Sequence, residues 1–299
     1  MKKFLAFLLI GISAFALAGC DTVSSSLDED DVYIEMPDEI NYTKVISYDE
    51  YSRTLTFQDL TKALSGVKMD IYTSGGGIQT DTIAIATRDS KTGERIAAGK
   101  TKISSRFNPL IRANGNQMMY VRDDTSYVDI NATYTVSAMS TTKTYSIVDK
   151  YHIDLPKDDT NGMASFFSID PTDPNTEGFV NPYTFVNAMK EGGLIQDPDT
   201  VIKTARQDGR TFFRIEFANM YALNQGVIEY DFVVVMNGKK FNGLYMHVKG
   251  DAGNNSTFVI GATIVPYTKK YNDVPTEFQG YEKTMEQFIE DAKKSMMSA

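Results

Sequence analysis
The clearest order in the chain is an alternation of apolar and polar positions with period two. That period sends successive side chains to opposite faces of a strand. Val67, Met69 and Ile71 alternate with Lys68, Asp70 and Tyr72. Gly75-Gly76-Gly77 predicts a turn, Ile83 and Ile85 fall on the next strand, and Thr92-Gly93 marks a further turn. Strands are expected over 99–107, 117–122, 126–137 and 143–153, with Asn114-Gly115 read as a hairpin signal. The Thr, Asp and Lys content of this run predicts an antiparallel meander with one wet face.

Strands resume at 200–206 and 210–218, where Phe213, Ile215 and Phe217 alternate with Arg214 and Glu216. In the hairpin over 226–249, Ile228, Tyr230, Phe232, Val234 and Met236 share one face. Leu244, Met246 and Val248 share the matching face of the return strand. Even residues must therefore oppose even. A two-residue Asn237-Gly238 turn breaks that match, so a three-residue loop with a glycine bulge is expected. Val233 and Val235 make the second face apolar too, which predicts a central strand covered on both sides. A strand over 256–267 carries Phe258, Ile260 and Ile264, and Pro266 marks an end or an edge.

Three stretches switch to a helical period. Thr56 caps a first helix over 57–64, with Phe57, Leu60 and Leu64 on one side and Ser65-Gly66 as its stop. Asn181 and Pro182 open a second, which Gly192-Gly193 ends. The third is expected over 277–296, with Thr276 and Gln279 as a capping box. Its stripe runs through Phe278, Tyr281, Met285, Phe288, Ile289, Ala292 and Met296, and reads as a helix docked on the core. The fold class is therefore α+β and mainly antiparallel β.

Composition trims this picture at its ends. Over 20–45, Ser24-Ser25-Ser26, Asp28-Glu29-Asp30-Asp31 and Pro37-Asp38-Glu39 predict an acidic flexible tether. Residues 46–299 are then one β-rich domain, with possible sub-halves 46–155 and 180–299. The stretch 154–181 is loop-rich. Within it Asp173-Pro174-Asn175-Thr176-Glu177-Gly178 has the look of an opening calcium loop, but Thr184 stands where the bidentate Glu belongs. An ordinary Asp-Pro turn is the reading preferred.

At the other extreme, Lys2 and Lys3 precede an apolar run from Phe4 to Leu17, short for a bilayer span but suited to a secretory signal. It ends in Leu17-Ala18-Gly19-Cys20. This resembles the lipobox of bacterial lipoproteins. The resemblance implies cleavage before Cys20, a diacylglycerol thioether on its sulfur, and removal of residues 1–19 as a signal peptide. It places the chain in a bacterial envelope, on the outer side of the cytoplasmic membrane or in the outer membrane, with the lipid joining it to the bilayer. Asp21 is similar to an inner-membrane retention signal. The alternative is a plain signal peptide beside a chance cysteine.

Loss of Lys2 and Lys3 takes Lys+Arg from 30 to 28 against 39 Asp+Glu, a net charge of −11. An acidic surface repels phosphate backbones, so nucleic acid is not a partner. Cys20 is the single cysteine, and its acylation leaves no disulfide, thiol nucleophile or thiolate metal site. His152 and His247 are far apart, and no nucleophile elbow, zinc helix or phosphate loop occurs. No catalytic residue, cofactor or metal is expected. Scattered carboxylates leave a glycosidase pair open, although Trp, the usual sugar platform, is absent.

The order of elements over about 45–270 resembles Lol-type carriers and LppX-like lipoproteins. That resemblance implies a curved half-barrel-like sheet with a few packed helices, whose concave face holds acyl chains. Phe213, Phe217, Tyr230, Phe232 and Met246 would line it. The two functions to separate are a lipoprotein that binds a hydrophobic ligand and a structural or interaction lipoprotein that meets another envelope protein. Both require the anchor. Replacing Cys20 by Ala is expected to leave an unprocessed or unanchored chain that takes up no label from cells fed labelled fatty acid; a labelled Cys20→Ala chain contradicts the anchor.

Overall fold
The computed structural model describes residues 34, 37, 39–54, 66–75, 77–88, 95–108, 111–122, 125–138, 141–154, 199–222, 226–251, 257–267, 275 and 277–297. Cys20, the expected helices over 57–64 and 181–192, the loop-rich stretch and its calcium-like motif lie outside them. The described elements are β1 (Lys44–Ile46), α1 (Tyr48–Thr54), β2 (Val67–Gly75), β3 (Ile78–Arg88), β4 (Arg95–Asn108), β5 (Ile111–Arg122), β6 (Thr125–Ala138), β7 (Thr141–Asp154), β8 (Asp199–Gln207), β9 (Arg210–Ala222), β10 (Gly226–Asn237), β11 (Lys240–Asp251), β12 (Thr257–Pro266) and α2 (Met285–Met297). Strands dominate and their registers are antiparallel, so the α+β, mainly antiparallel class stands.

The chain forms two compact units, interleaved in sequence. One holds β1, α1, β2 and β8–β12; the other holds β3–β7 and residues 275–297. This differs from the expected sub-halves, because β2 joins the later strands and the C-terminal segment joins the earlier ones. In the first unit the strand order is β1-β8-β9-β10-β11-β12-β2, and in the second β3-β4-β5-β6-β7. β1 and β7 each have one neighbouring strand only among the described residues, so the sheet is open, as a half-barrel sheet requires.

In the first unit β10 is central, as its two apolar faces predict. Tyr230, Phe232, Val234 and Met236 are buried on one side, Val233 and Val235 on the other. The even positions do oppose even: Tyr230 pairs with Val248, Phe232 with Met246 and Val234 with Leu244. The device differs from the expected three-residue loop. The turn is Gly238-Lys239, so Asn237 pairs with Lys240 and Met236 with Phe241. A bulge at Asn242 then restores the match, because Val235 meets Gly243. A two-residue turn with a left-handed Gly238 closes the hairpin with the sheet's own twist, and the bulge corrects the parity afterwards.

The cover over Val233 and Val235 comes from the expected tether. Ile34 is buried in a cluster with Ala205, Phe212, Val233 and Val235, and Ile40 and Tyr42 pack against it. Val45 and Ile46 lie in β1, paired with Lys203 and Ile202 of β8. Ile34, Ile40, Tyr42 and β1 are thus docked and not tether, because these apolar residues are spaced among acids where an apolar sheet face needs them. Gly243 makes room: a Cβ there would lie 2.7 Å from Ile34 Cδ1 and 2.9 Å from the Ile264 carbonyl oxygen.

In the second unit the expected wet face runs across one end of β3, β4 and β5, where Gln79, Asp81, Lys102, Ser104, Asn114 and Asn116 are exposed in register, and the other end is covered on both sides. In β4, Ile96, Ala97 and Ala98 are buried in succession, and in β5 Gln117 to Val121 are. Small and apolar residues on both parities allow cover on both faces. Asn114-Gly115 is not a turn but the middle of β5, and Gly115 faces Ala132. A Cβ at Gly115 would meet Ala132 Cβ at 3.0 Å, so close approach of strands, not chain reversal, explains the glycine.

The C-terminal helix starts later than its apolar stripe suggests. Gly280 is left-handed, with φ 86°, and interrupts the helical path after the expected start. The capping box is Thr284 with Gln287: Thr284 N–H donates to Gln287 Oε1 at 2.9 Å, and Gln287 N–H donates to Thr284 Oγ1 at 3.3 Å. As expected of a core helix, α2 docks, with Phe288 stacked on Tyr151 at 4.7 Å. The short α1 was missed, although Ser47-Tyr48-Asp49-Glu50 has the capping-box spacing; Glu50 N–H donates to Ser47 Oγ at 3.2 Å. Seven residues are too few for a helical period to show.

The notch at Gly243 yields a stability test. Gly243→Ala forces a Cβ against the fixed Ile264 carbonyl, and overpacking of this kind costs about 1–3 kcal/mol. Urea denaturation is expected to show a lower midpoint by that measure; an unchanged midpoint contradicts the close packing.

Candidate functional site
The register gathers the expected lining residues on one face of the first unit. Tyr230 opposes Phe217, Val234 opposes Phe213, and Phe232 lies between Ile215 and Met246. Phe217 and Tyr230 stack with centroids 5.5 Å apart, and Tyr230 meets Phe232 edge-on at 6.3 Å. Tyr51 of α1 seals Phe213 with an edge contact at 5.6 Å. All five rings are buried, and burial drives the Tyr230 hydroxyl well above the ordinary phenol range. Rings that spend their faces on one another form a packed core. Met246 differs, being half-buried like Val248, Ile260 and Ile264 on the same face. Among the described residues, the apolar surface left accessible on this face includes the β11–β12 strip.

The opposite face carries an ion network. Arg214 donates to Asp231 through Nε at 3.0 Å and through Nη2 at 2.8 Å. It also lies 3.0 Å from Glu216, which Lys203 reaches at 2.7 Å. The Asp231 hydrogen bonds raise the Arg214 pKa further. Tyr42 lies under the guanidinium, 5.9 Å from ring centroid to Cζ, and burial pushes its hydroxyl up to about 12. Each acid here faces a base, so the network positions Tyr42 over the sheet. Partly exposed pairs of this kind contribute roughly 0–1 kcal/mol each.

In the second unit residues 278–288 wrap the outer end of β7. Phe278 stacks on Tyr127 at 3.7 Å, and Tyr281 meets the same ring edge-on at 5.6 Å. His152 N–H donates to the Lys283 carbonyl at 2.9 Å, and Thr284 forms a parallel bridge to His152. The chain then passes to the other face, where Phe288 covers Tyr151. His152 Nδ1 carries the proton that the Tyr281 carbonyl accepts at 2.6 Å. This histidine is thus a satisfied packing residue, as a lone strand histidine was expected to be. Lys283 joins Asp149 at 2.5 Å and Asp291 at 3.1 Å, which raises its pKa.

Beside this wrap lies an open hollow of about 430 Å³ lined by Glu282, Lys283, Gln287, Glu290, Asp291 and Lys294. Its lining side chains are all charged or polar and do not include the apolar residues singled out above. Among the described residues no group of three His, Cys, Asp or Glu is placed to hold a metal ion. Sequence reasoning did not find the wrap, since its contacts join residues more than a hundred positions apart and no local period encodes them.

Tyr151 supplies a pH test. Burial, then the Asp149 charge, push its hydroxyl up to about 12 in the folded state, against about 10 in an unfolded chain. Protonated, the buried phenol contributes its full stability below pH 10. The unfolded chain releases that proton first, so stability falls as pH rises from 10 to 12. Tyr42 adds a decline of the same sign. Thermal melting between pH 9 and 12 is expected to show this decline, shallower in Tyr151→Phe; equal slopes contradict the burial.

No protein-family model and no curated protein sequence matches the chain. Among solved structures it is similar to the KdgM porin in complex with disordered oligogalacturonate, at 6% identity over 68% of this chain and 99% of that one, with a TM-score of 0.20. The KdgM porin alone gives 7% identity over 68% and 99%, with a TM-score of 0.19. The S-type phycobiliprotein lyase CPES from Guillardia theta gives 6% identity over 75% and 100%, with a TM-score of 0.18. Likeness at this level reflects an abundance of antiparallel strands and carries no function across.

Proposed function
We propose that the chain is a lipid-anchored lipoprotein of a bacterial envelope that acts through contacts of its β-sheet domain with other protein. The observation that carries the anchor is Leu17-Ala18-Gly19-Cys20 after a short apolar run, with Cys20 as the single cysteine. Two or more acyl chains hold a protein stably at a membrane, at about 0.8 kcal/mol per buried CH₂. Between Cys20 and the docked Ile34 the chain reaches at most about 50 Å. The domain therefore works close to the bilayer that holds its lipid. No described helix is long and apolar enough to cross a membrane.

The contact role is supported by the stacking of Phe217 on Tyr230 and of Tyr51 against Phe213, since lining residues that fill one another's space hold no ligand. A second reading, a hydrophobic ligand on the sheet, is favoured by one observation. Met246, Val248, Ile260 and Ile264 form a half-buried apolar strip across β11 and β12.

Native mass spectrometry of the chain purified in mild detergent separates these readings. The expected mass is that of a protein beginning at a diacylated Cys20 with nothing else bound. A mature terminus elsewhere overturns the anchor. A non-covalent lipid in fixed ratio replaces the contact role with ligand binding.

A further inference from the structure
Nothing in the fold requires glycine at position 261, in the middle of β12. A glycine weakens a strand, and it marks a bulge, a left-handed turn, or a close approach by backbone or ligand. Gly115 and Gly243 answer close packing, and Gly238 a left-handed turn. Gly261 has no positive φ. It pairs without a bulge to His247 of β11 and to Tyr72 of β2. A Cβ built on it would meet nothing within 4 Å. Aromatic neighbours can cover a strand glycine, but neither ring does so here.

The missing side chain leaves a slot between two rings. Side chains stand roughly perpendicular to a sheet. His247 and Tyr72 therefore rise roughly 10 Å apart, two strand spacings of about 4.8 Å. The Gly261 backbone is the floor between them. Tyr245 and Thr263 stand at one end of the slot, and Lys249, Val259 and Ser74 at the other. This is the face that Ile34 covers farther along, beside Val265. His247, Tyr72 and Gly261 are half-buried, and Tyr245 is exposed. Among the described residues, His247, Tyr72, Thr263 and Ser74 have no hydrogen bond, ion pair or ring contact. The adjoining Arg214, Asp231 and Glu216 are spent on one another.

We propose that this slot binds a neutral pyranose ring. Its walls are ring faces, and its rim is made of imidazole nitrogens and hydroxyls without partners. A flat aromatic ligand between two rings fills only about 7 Å, twice the closest carbon contact of about 3.5 Å. It also offers the rim no hydrogen bonds. A puckered, saturated ring is thicker. Its C–H faces pack on Tyr72 and His247, while its hydroxyls meet the His247 nitrogens, the Tyr72 phenol and the Thr263 hydroxyl. A charged ligand gains little, since Lys249 stands opposite Glu229 and neither sign prevails at that end. The site lies within the first unit and depends neither on the lipid anchor nor on the protein contacts proposed above.

Saturation-transfer NMR on the full chain tests this, in a detergent without a sugar headgroup. The probes are both methyl glycosides of glucose, galactose, mannose and N-acetylglucosamine, with indole as the flat ring. At least one glycoside is expected to bind, in the millimolar range. The tetrasaccharide of that sugar separates the sources: tighter binding marks a glycan chain, equal binding a single sugar. Gly261→Val sets a branched side chain in the slot. It is expected to lose glycoside binding while its urea midpoint holds or rises, because branched residues suit a strand. His247→Ala and Tyr72→Ala, each removing one wall, are expected to weaken binding. Failure of every glycoside to bind overturns the proposal, as does binding of indole alone. So does a Gly261→Val chain that binds as wild type does, or one whose midpoint falls, which would show that the glycine serves the fold.

Discussion
A strand with apolar residues on both parities needs two covers, and in this protein that requirement sits on β10. One face is closed by its neighbours' aromatic residues and by Tyr51. The other is closed by Ile34, which enters over Gly243 where any side chain would block it. The bulge at Asn242 serves both faces at once. It returns Leu244 and Met246 to the face of Phe232 and Tyr230, and it sets Gly243 on the face where Ile34 lies. Loss of either feature would leave Val233 and Val235 without cover or set the hairpin's polar residues against its core.

This arrangement ties the proposed anchor to the core. Ile34, Ile40 and Tyr42 of the acidic segment belong to the fold, so a pull on the proposed anchor would be felt at β10. The second unit solves its own exposure problem by a different route. There the C-terminal segment turns over the end of β7, with Phe278 and Tyr281 on one face, Phe288 on the other and Thr284 bridged to the strand between them.

Strand existence and face assignment were legible because period-two alternation is a local signal. Phe213, Phe217, Tyr230, Phe232 and Met246 share a face as the alternation required, and the even-to-even match in the hairpin was forced by parity alone. Chain reversals were less legible. Asn114-Gly115 has a turn's composition but lies within β5, since a glycine beside Ala132 answers a packing need that only the partner strand reveals. The helix start was misplaced because Phe278 and Tyr281 hold helical spacing while contacting Tyr127 from a non-helical segment. The docking of Ile34 was hidden by acidic neighbours, whose composition speaks for solvent while one residue among them does not. Whether the aromatic face is core or cavity lay beyond the alternation, which says which residues meet and not what fills the space between them.

The measurement that bears most directly on this account is a double-mutant cycle on Ile34 and Gly243, read by urea denaturation of the full chain. If Ile34 seals β10 through the notch, Ile34→Ala destabilises alone, and the added cost of Gly243→Ala is smaller in that background. The expected coupling is about 0.5–3 kcal/mol. Strict additivity, or an Ile34→Ala chain as stable as wild type, would show that the N-terminal segment is not what closes the sheet.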